Sequence, residues 1–261
     1  MIRRRVGDEF WLITQDDHAR ISGKLSQALG PPSSAPAILG ITMHDCGWPL
    51  HDDQPTLNEQ NVPLDVFESP REIALAVWEL SAEKAAQRDD YAGLLVSLHS
   101  LGLSVYVAEQ TNAGDPRARF ELNRFQRKMI ELQESLRQRL GMKLDRPLKH
   151  GLAPDSHDPK EQKLLFDFRW LGAMDRLSLA ICCTQPPFDA IEIPPFSAPL
   201  KMEREGKDVL LDPWPGKTPI AIHIPYRRLS AKCYADNSEF RAAYAAAAIE
   251  QFTATVRGHT I

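Results

Sequence analysis

Residues 37–48 read AILGITMHDCGW, and the surroundings of His44 and Asp45 in that run decide how the rest of the chain is read. Pro36 opens a helix from Ala37 to about Cys46 that is apolar on nearly every side, the pattern of a helix buried all round. An ionised carboxylate in such a place is costly unless it is paired, protonated or bound to a cation. Neighbouring His and Asp side chains on one buried helix satisfy each other's environment by sharing a metal ion. The dipeptide alone says little. It recurs at His51-Asp52 and His157-Asp158, both in polar segments that read as loops.

Two further helices put a ligand-type residue on a face that should be dry. Asp16 or Asp17 caps a helix running to about Leu29, where Gly30-Pro31-Pro32 stops it. On it, His18 shares a face with Ile21, Leu25 and Ala28. Farther on, Asp158-Pro159-x-Glu161 caps a helix reaching Cys183. There Leu164, Phe168, Leu171, Asp175 and Leu179 recur at helical spacing, so Asp175 interrupts an inward stripe. Singly, each has an ordinary explanation: a buried His bonded to a carbonyl, or an inward Asp paired with Arg169 or Arg176. Together they predict a divalent cation held by His18, His44, Asp45 and Asp175. Mixed His and carboxylate donors suit manganese, iron, nickel, cobalt or zinc, as one ion or two.

Helix signals dominate the remainder. Ser69 as N-cap, Pro70 at the first helical position and Glu72 in a capping box predict a helix to about Arg88. Leu94, Leu98, Leu101, Val105 and Ala108 predict another over Tyr91–Glu109, with His99 at the edge of its apolar stripe. A highly charged helix follows over 116–140, with Phe125, Met129, Leu132 and Leu136 facing inward. The fold class is therefore mainly α, a single domain over 1–261 whose helical core spans about 16–185. Alternating segments over 200–229 predict a small antiparallel sheet, and an N-terminal hairpin over 2–14 is placed to join it. An alanine-rich final helix is expected over 239–256.

Composition bounds the function classes. The chain is 43% hydrophobic and 25% charged with a net charge of −4, so no basic excess points to nucleic acid. The four cysteines lack C-x-x-C spacing, which fits a reduced compartment. No signal peptide is expected, no stretch approaches the length of a membrane span, and a cytoplasmic location follows. There is no Gly-rich phosphate loop and no G-x-S-x-G elbow.

The order His18, then His44-Asp45, then a distant Asp175 resembles the HD superfamily of metal-dependent phosphohydrolases. Gly47 matches the small residue that often follows the dipeptide, and AMDRLSLA around Asp175 looks like the closing aspartate. The resemblance covers about residues 16–183 and implies an HD-type helical bundle. LITQDDHARISGKL, HDCGW, YAGLLVSLHSLGL and LDPWP are similar to a family of bacterial proteins of unassigned activity. The chain departs from two-metal HD hydrolases in having Trp48 where many have Lys, and in lacking a His-His pair. The resemblance implies hydrolysis of a small phosphorylated molecule, with His99 as catalytic proton donor or as ligand to a second ion. Lys24, Arg169 and Arg176 are the basic groups available for phosphate. A di-iron oxygenase using His99 with His150 or His157 is the alternative. A non-catalytic protein that binds through its C-terminal sheet and LDPWPGKTP loop is the third reading.

Overall fold

The computed structural model describes residues 1–30, 34–110, 115–143, 148–185, 189–194, 196 and 198–259. The helices are α1 (Gln15–Leu29), α2 (Ala35–Met43), α3 (Pro49–Asp52), α4 (Arg71–Arg88), α5 (Asp90–Gln110), α6 (Pro116–Arg139), α7 (Pro159–Cys182) and α8 (Asn237–Ala246). The strands are β1 (Ile2–Val6), β2 (Glu9–Ile13), β3 (Ala190–Ile191), β4 (Leu200–Glu205), β5 (Asp208–Asp212), β6 (Ile220–Ser230) and β7 (Ile249–Arg257). The fold is mainly helical, as expected.

The strands form one sheet in the order β1-β2-β6-β7-β5-β4-β3. The N-terminal hairpin does join it, through β2 against β6. Two hairpins turn on two residues each, Gly7-Asp8 between Val6 and Glu9 and Gly206-Lys207 between Glu205 and Asp208. Gly7 and Gly206 have φ of 58° and 63°, a left-handed conformation that suits glycine and matches the strand twist.

The C-terminal expectation was wrong in an instructive way. The alanine-rich helix ends at Ala246, and Ile249–Arg257 is β7, antiparallel to β6 and parallel to β5. In this stretch Phe252, Ala254 and Val256 are buried at every second position, a period of two that the helical reading missed. The sheet is therefore mixed rather than purely antiparallel.

Helix starts also differ in detail. Thr14 caps α1, its side chain accepting from the Asp17 N–H. The capping box near α4 lies upstream, where Asp65 and Glu68 close the 3₁₀ turn Val66–Glu68, and Pro70 stands at the α4 N-cap. The dipeptide helix ends at Met43, so His44–Trp48 is a turn leading into α3.

Helix α5 is long and apolar enough to cross a membrane by length and composition, over Asp90–Ala108 with mean hydropathy 1.5. This corrects the expectation that no stretch reaches that length. Of that window 61% is buried, because α5 packs against α2, α4, α6 and α7. Most of its apolar surface is core.

The segment read as a polar loop contains α3, and two of its polar residues are inside. Asp52 is 2% exposed. Its carboxylate accepts from the Met1 amino group and the Gln15 N–H, both at 2.8 Å. Burial pushes Asp52 up, but these partners and His51 hold it below the usual carboxylate value. A carboxyl with a depressed folded pKa contributes stability that is present above its unfolded value near 3.8 and lost as the pH falls. Asp52→Ala should cost about 3–5 kcal/mol, since it leaves a buried ammonium and N–H unmatched. Chemical denaturation at pH 7 measures the loss, and the gap to the parent should narrow toward pH 3.

Candidate metal centre

The site is assembled where α1, the His44–Trp48 turn, α5 and α7 meet. Gly47 makes the approach possible. Its N–H donates to Ser81 Oγ at 2.9 Å. A Cβ there would stand 2.1 Å from the Val77 carbonyl of α4, closer than any side chain tolerates. Trp48, the departure from the Lys of two-metal hydrolases, is buried, and its Nε1 donates to Asp45 Oδ1 at 3.1 Å. It thereby orients Asp45.

Hydrogen bonds fix the two inner histidines. His44 Nδ1 lies 2.8 Å from the Ile41 carbonyl, which can only accept, so Nδ1 carries the proton. Neutral His44 then presents a bare Nε2 lone pair. Everything facing that atom is also an acceptor or an imidazole nitrogen: His18 Nε2 at 3.3 Å, and Asp45 Oδ2 and Asp175 Oδ1 at 3.6 Å each. His18 is held similarly. Ser178 Oγ donates to the His18 carbonyl at 2.8 Å and stands 2.6 Å from His18 Nδ1, placed to accept its proton. That directs His18 Nε2 to Asp175 Oδ1 at 2.9 Å, with Asp45 Oδ2 at 3.9 Å.

Such a ring of acceptors repels itself unless positive charge sits among them. In the metal-free protein a proton provides it. Burial would lower His44, but Asp45 and Asp175 outweigh burial and raise it to about 9. Asp175 is driven up by burial, yet the His18 and His44 rings beside it hold it well below the ordinary carboxylate range. Burial raises Asp45. These donors are also spaced for a cation. Bonds of about 2.1 Å put neighbouring ligand atoms about 3.0 Å apart in an octahedron and about 3.4 Å apart in a tetrahedron, inside the spread observed.

His99 completes a second cluster. His18, His44 and Asp45 form one group able to chelate a metal, and His44, His99 and Asp175 form another. His99 Nε2 faces Asp175 Oδ2 at 3.8 Å, so Asp175 turns one oxygen to each group. Burial lowers His99 to about 4, which keeps it neutral at pH 7.

Above these groups lies a cavity of about 560 Å³. Trp78, Val66, Phe67, Leu103 and Leu179 give it largely apolar walls, and Arg71 is the one Lys or Arg among the described residues lining it. Arg71 bonds Glu72 at 2.8 Å and Glu121 at 3.4 Å, while its buried Nε has no partner. A second groove of about 710 Å³ shares His99 and Asp175 and is lined by Arg169 and Arg176.

All five residues expected at the centre therefore converge. The other expectations separate. Lys24 is exposed and lines a different groove. His150 and His157 are exposed and belong to neither cluster. Cys46 Sγ faces the Ser81 carbonyl at 3.6 Å, and burial pushes its thiol up to about 11, so it stays a protonated filler. Trp214 of LDPWP packs against the main core. Sequence reasoning missed Ser178 and Arg71. Ser178 lies one turn beyond Asp175 within AMDRLSLA, a spacing that could have identified it; Arg71 gave no signal.

Residues 1–231 match the family described as protein of unknown function (DUF3891), and the chain belongs to that family. No curated protein and no solved structure matches it.

The raised pKa of His44 carries a sign that can be tested. Its contribution to the metal-free protein is complete below the unfolded value of 6.5 and is lost as the pH rises through about 9. Metal-free protein should therefore melt at progressively lower temperature between pH 6.5 and 9.5. A His44→Ala variant should lack that slope; equal slopes in the two would contradict this account of the site.

Proposed function

We propose that this member of the DUF3891 family is a metal-dependent phosphohydrolase of the HD type, acting on a small phosphorylated molecule. The observation that carries the reading is the His44 Nε2 lone pair, fixed by the Ile41 carbonyl and surrounded by His18 Nε2, Asp45 and Asp175 at 3.3–3.6 Å. The donors fit the group: two imidazoles and two carboxylates in a buried ring suit manganese, iron, nickel, cobalt or zinc. His18, His44, Asp45 and Asp175 would hold it, in the chain order of the HD resemblance. A divalent cation, when bound, supplies acidified water and polarises a phosphoryl oxygen.

The chain's own residues do the rest. Ser178 and the Ile41 carbonyl keep both imidazoles turned with Nε2 inward, the outer-layer support on which ligand affinity depends. Trp48 steadies Asp45. His99, kept neutral, stands at the cavity floor as a base, or as a ligand, more readily than as a charged acid. The apolar walls exclude water and favour an apolar or aromatic group on the substrate. Arg71, the one Lys or Arg among the described residues lining the cavity, is the basic group there for one anionic group.

The second cluster supports a two-ion centre as the other reading, since Asp175 turns Oδ1 to His18 and Oδ2 to His99. An oxygenase would need more histidine ligands, and His150 and His157 are outside both clusters.

Elemental analysis of the purified protein beside a His44→Ala, Asp45→Ala variant is the direct test. Stoichiometric transition metal is expected in the parent and none in the folded variant. Aryl phosphate hydrolysis should accompany it and fall at least a hundredfold in the variant. Activity that survives the double replacement would rule the mechanism out. Two irons per chain with a spectral change in air would favour the oxygenase, and tightly held metal without any turnover would favour a binding protein. Ser178→Ala, which frees the His18 ring, should weaken metal affinity by about 10–100-fold, read by competition with a chelating dye.

A further inference from the structure

We propose that the sheet carries a second binding site, for a small phosphate-class anion, formed by Arg4, Arg5, Arg204 and Lys207 at the end of α7. The groove there measures about 620 Å³ and shares no lining residue with the metal-centre cavity. Trp11, Phe252 and Thr184 complete its walls, and no carboxylate among the described residues lines it. Four cations meet at one place on a chain whose net charge is −4.

The curl of the sheet brings them together. β1 lies at one edge and β4 near the other, with β2, β6, β7 and β5 between. Yet Arg4 Nη1 donates to the Ile181 carbonyl, and Arg204 Nη1 to the carbonyls of Cys183 and Thr184. Both edges thus grip the C-terminal turn of α7, whose free carbonyls attract cations. Helix capping accounts for one nitrogen of each arginine, while Arg204 Nε donates to the Gly206 carbonyl at 3.1 Å and Arg5 Nε to the Gly7 carbonyl at 3.3 Å.

The remaining donors are what point to a ligand. Arg4 is only 6% exposed, with its guanidinium 4.9 Å from the Phe252 ring centroid. Its Nε and Nη2 have no partner among the described residues, and the side chain lines the groove. Burial, then the Arg204 charge, lowers Arg4 to about 10, so the cluster is under repulsion. Nearby carboxylates face elsewhere: Glu205 pairs with Arg257, and Glu9 accepts from Trp11 Nε1 and Arg228. Arg5 and Lys207 are exposed at the rim, beside the Gly7 and Gly206 turns. Planar guanidinium forks with unused N–H groups match the oxygens of a phosphate.

The occupant is small. A nucleic-acid polymer engages an extended basic stripe, with many phosphates neutralised at once. Here the cations fill one cup, and the apolar faces of Trp11 and Phe252 leave space for an organic portion beside the phosphate.

Calorimetric titration of the intact protein with methylenediphosphonate, at constant ionic strength against chloride, tests the site. That probe cannot be hydrolysed, and repeating the titration on the His44→Ala, Asp45→Ala variant, which lacks the metal a diphosphonate would chelate, separates this site from the centre proposed above. One saturable site is expected, weakened at least tenfold by Arg5→Glu with Lys207→Glu, two exposed changes that leave the fold and its metal content unaltered. Arg4→Lys, which keeps the charge but removes the fork, should also weaken it. Absence of binding, or binding unchanged in the double variant, would overturn the assignment. So would recruitment to phosphatidylglycerol vesicles, relative to phosphatidylcholine, without diphosphonate uptake, which would make the groove a lipid-headgroup contact.

Discussion

Two imidazoles and two carboxylates crowd into a volume where water cannot reach them all, and that crowding needs positive charge at its centre. Isolated, each group would change its protonation state or face outward. Here backbone and hydroxyl partners prevent rotation: Ile41 holds His44, Ser178 holds His18, and Trp48 holds Asp45. The repulsion has to be met by a proton or a cation. Helices α1 and α7 and the turn after α2 all contribute to this point, and α1 and α7 are also joined by the Trp170–Ser26 hydrogen bond, so the site forms as the bundle packs.

The same helix serves both sites. α7 supplies Asp175 and Ser178 to the candidate metal centre, and its last carbonyls receive Arg4 and Arg204 from opposite sides of the sheet. From Asp175 to Ile181 is six residues, about 9 Å of helix. α7 also carries the buried Glu161, whose ion pair with Arg137 ties it to α6. A helix that carries Asp175 and Ser178 in its last third, just before a clamp at its end, transmits little slack, which suits a centre whose donors must stay within a few tenths of an ångström of their places.

The cavity above the centre and the groove at the sheet differ in the chemistry they offer. The first is walled with apolar and aromatic side chains and holds a single arginine already shared with two glutamates. The second gathers four cations and no carboxylate among the described residues. The first suits an uncharged group attached to one anion; the second suits the anion itself.

Much of this was legible in the chain. The main helices and the inward direction of His18 and Asp175 follow from periodicity, and the burial of His44 and Asp45 from the apolar run around them, although both stand in the turn after the helix. His99 at the edge of its stripe was readable for the same reason. What escaped depended on distant partners. β7 looked helical because Ala243–Ala248 favours a helix, while the slot between β5 and β6 that makes Ile249–Arg257 a strand exists only once the sheet has formed. Asp52 read as solvated because nothing nearby in sequence shows that Met1 and Gln15 will meet it. The Arg4–Arg204 cluster joins residues two hundred positions apart through the curl of a sheet, and Ser178 acquires its role only when α7 lies against α1. The sequence by itself determined the dry faces of α1 and α7 and which side chains could not remain alone on them; the tertiary structure alone decided that α2, read as buried all round, buries only Ala37, Gly40 and Ile41, and which of the inward side chains meet, because contact between remote segments is set by packing and not by any local pattern.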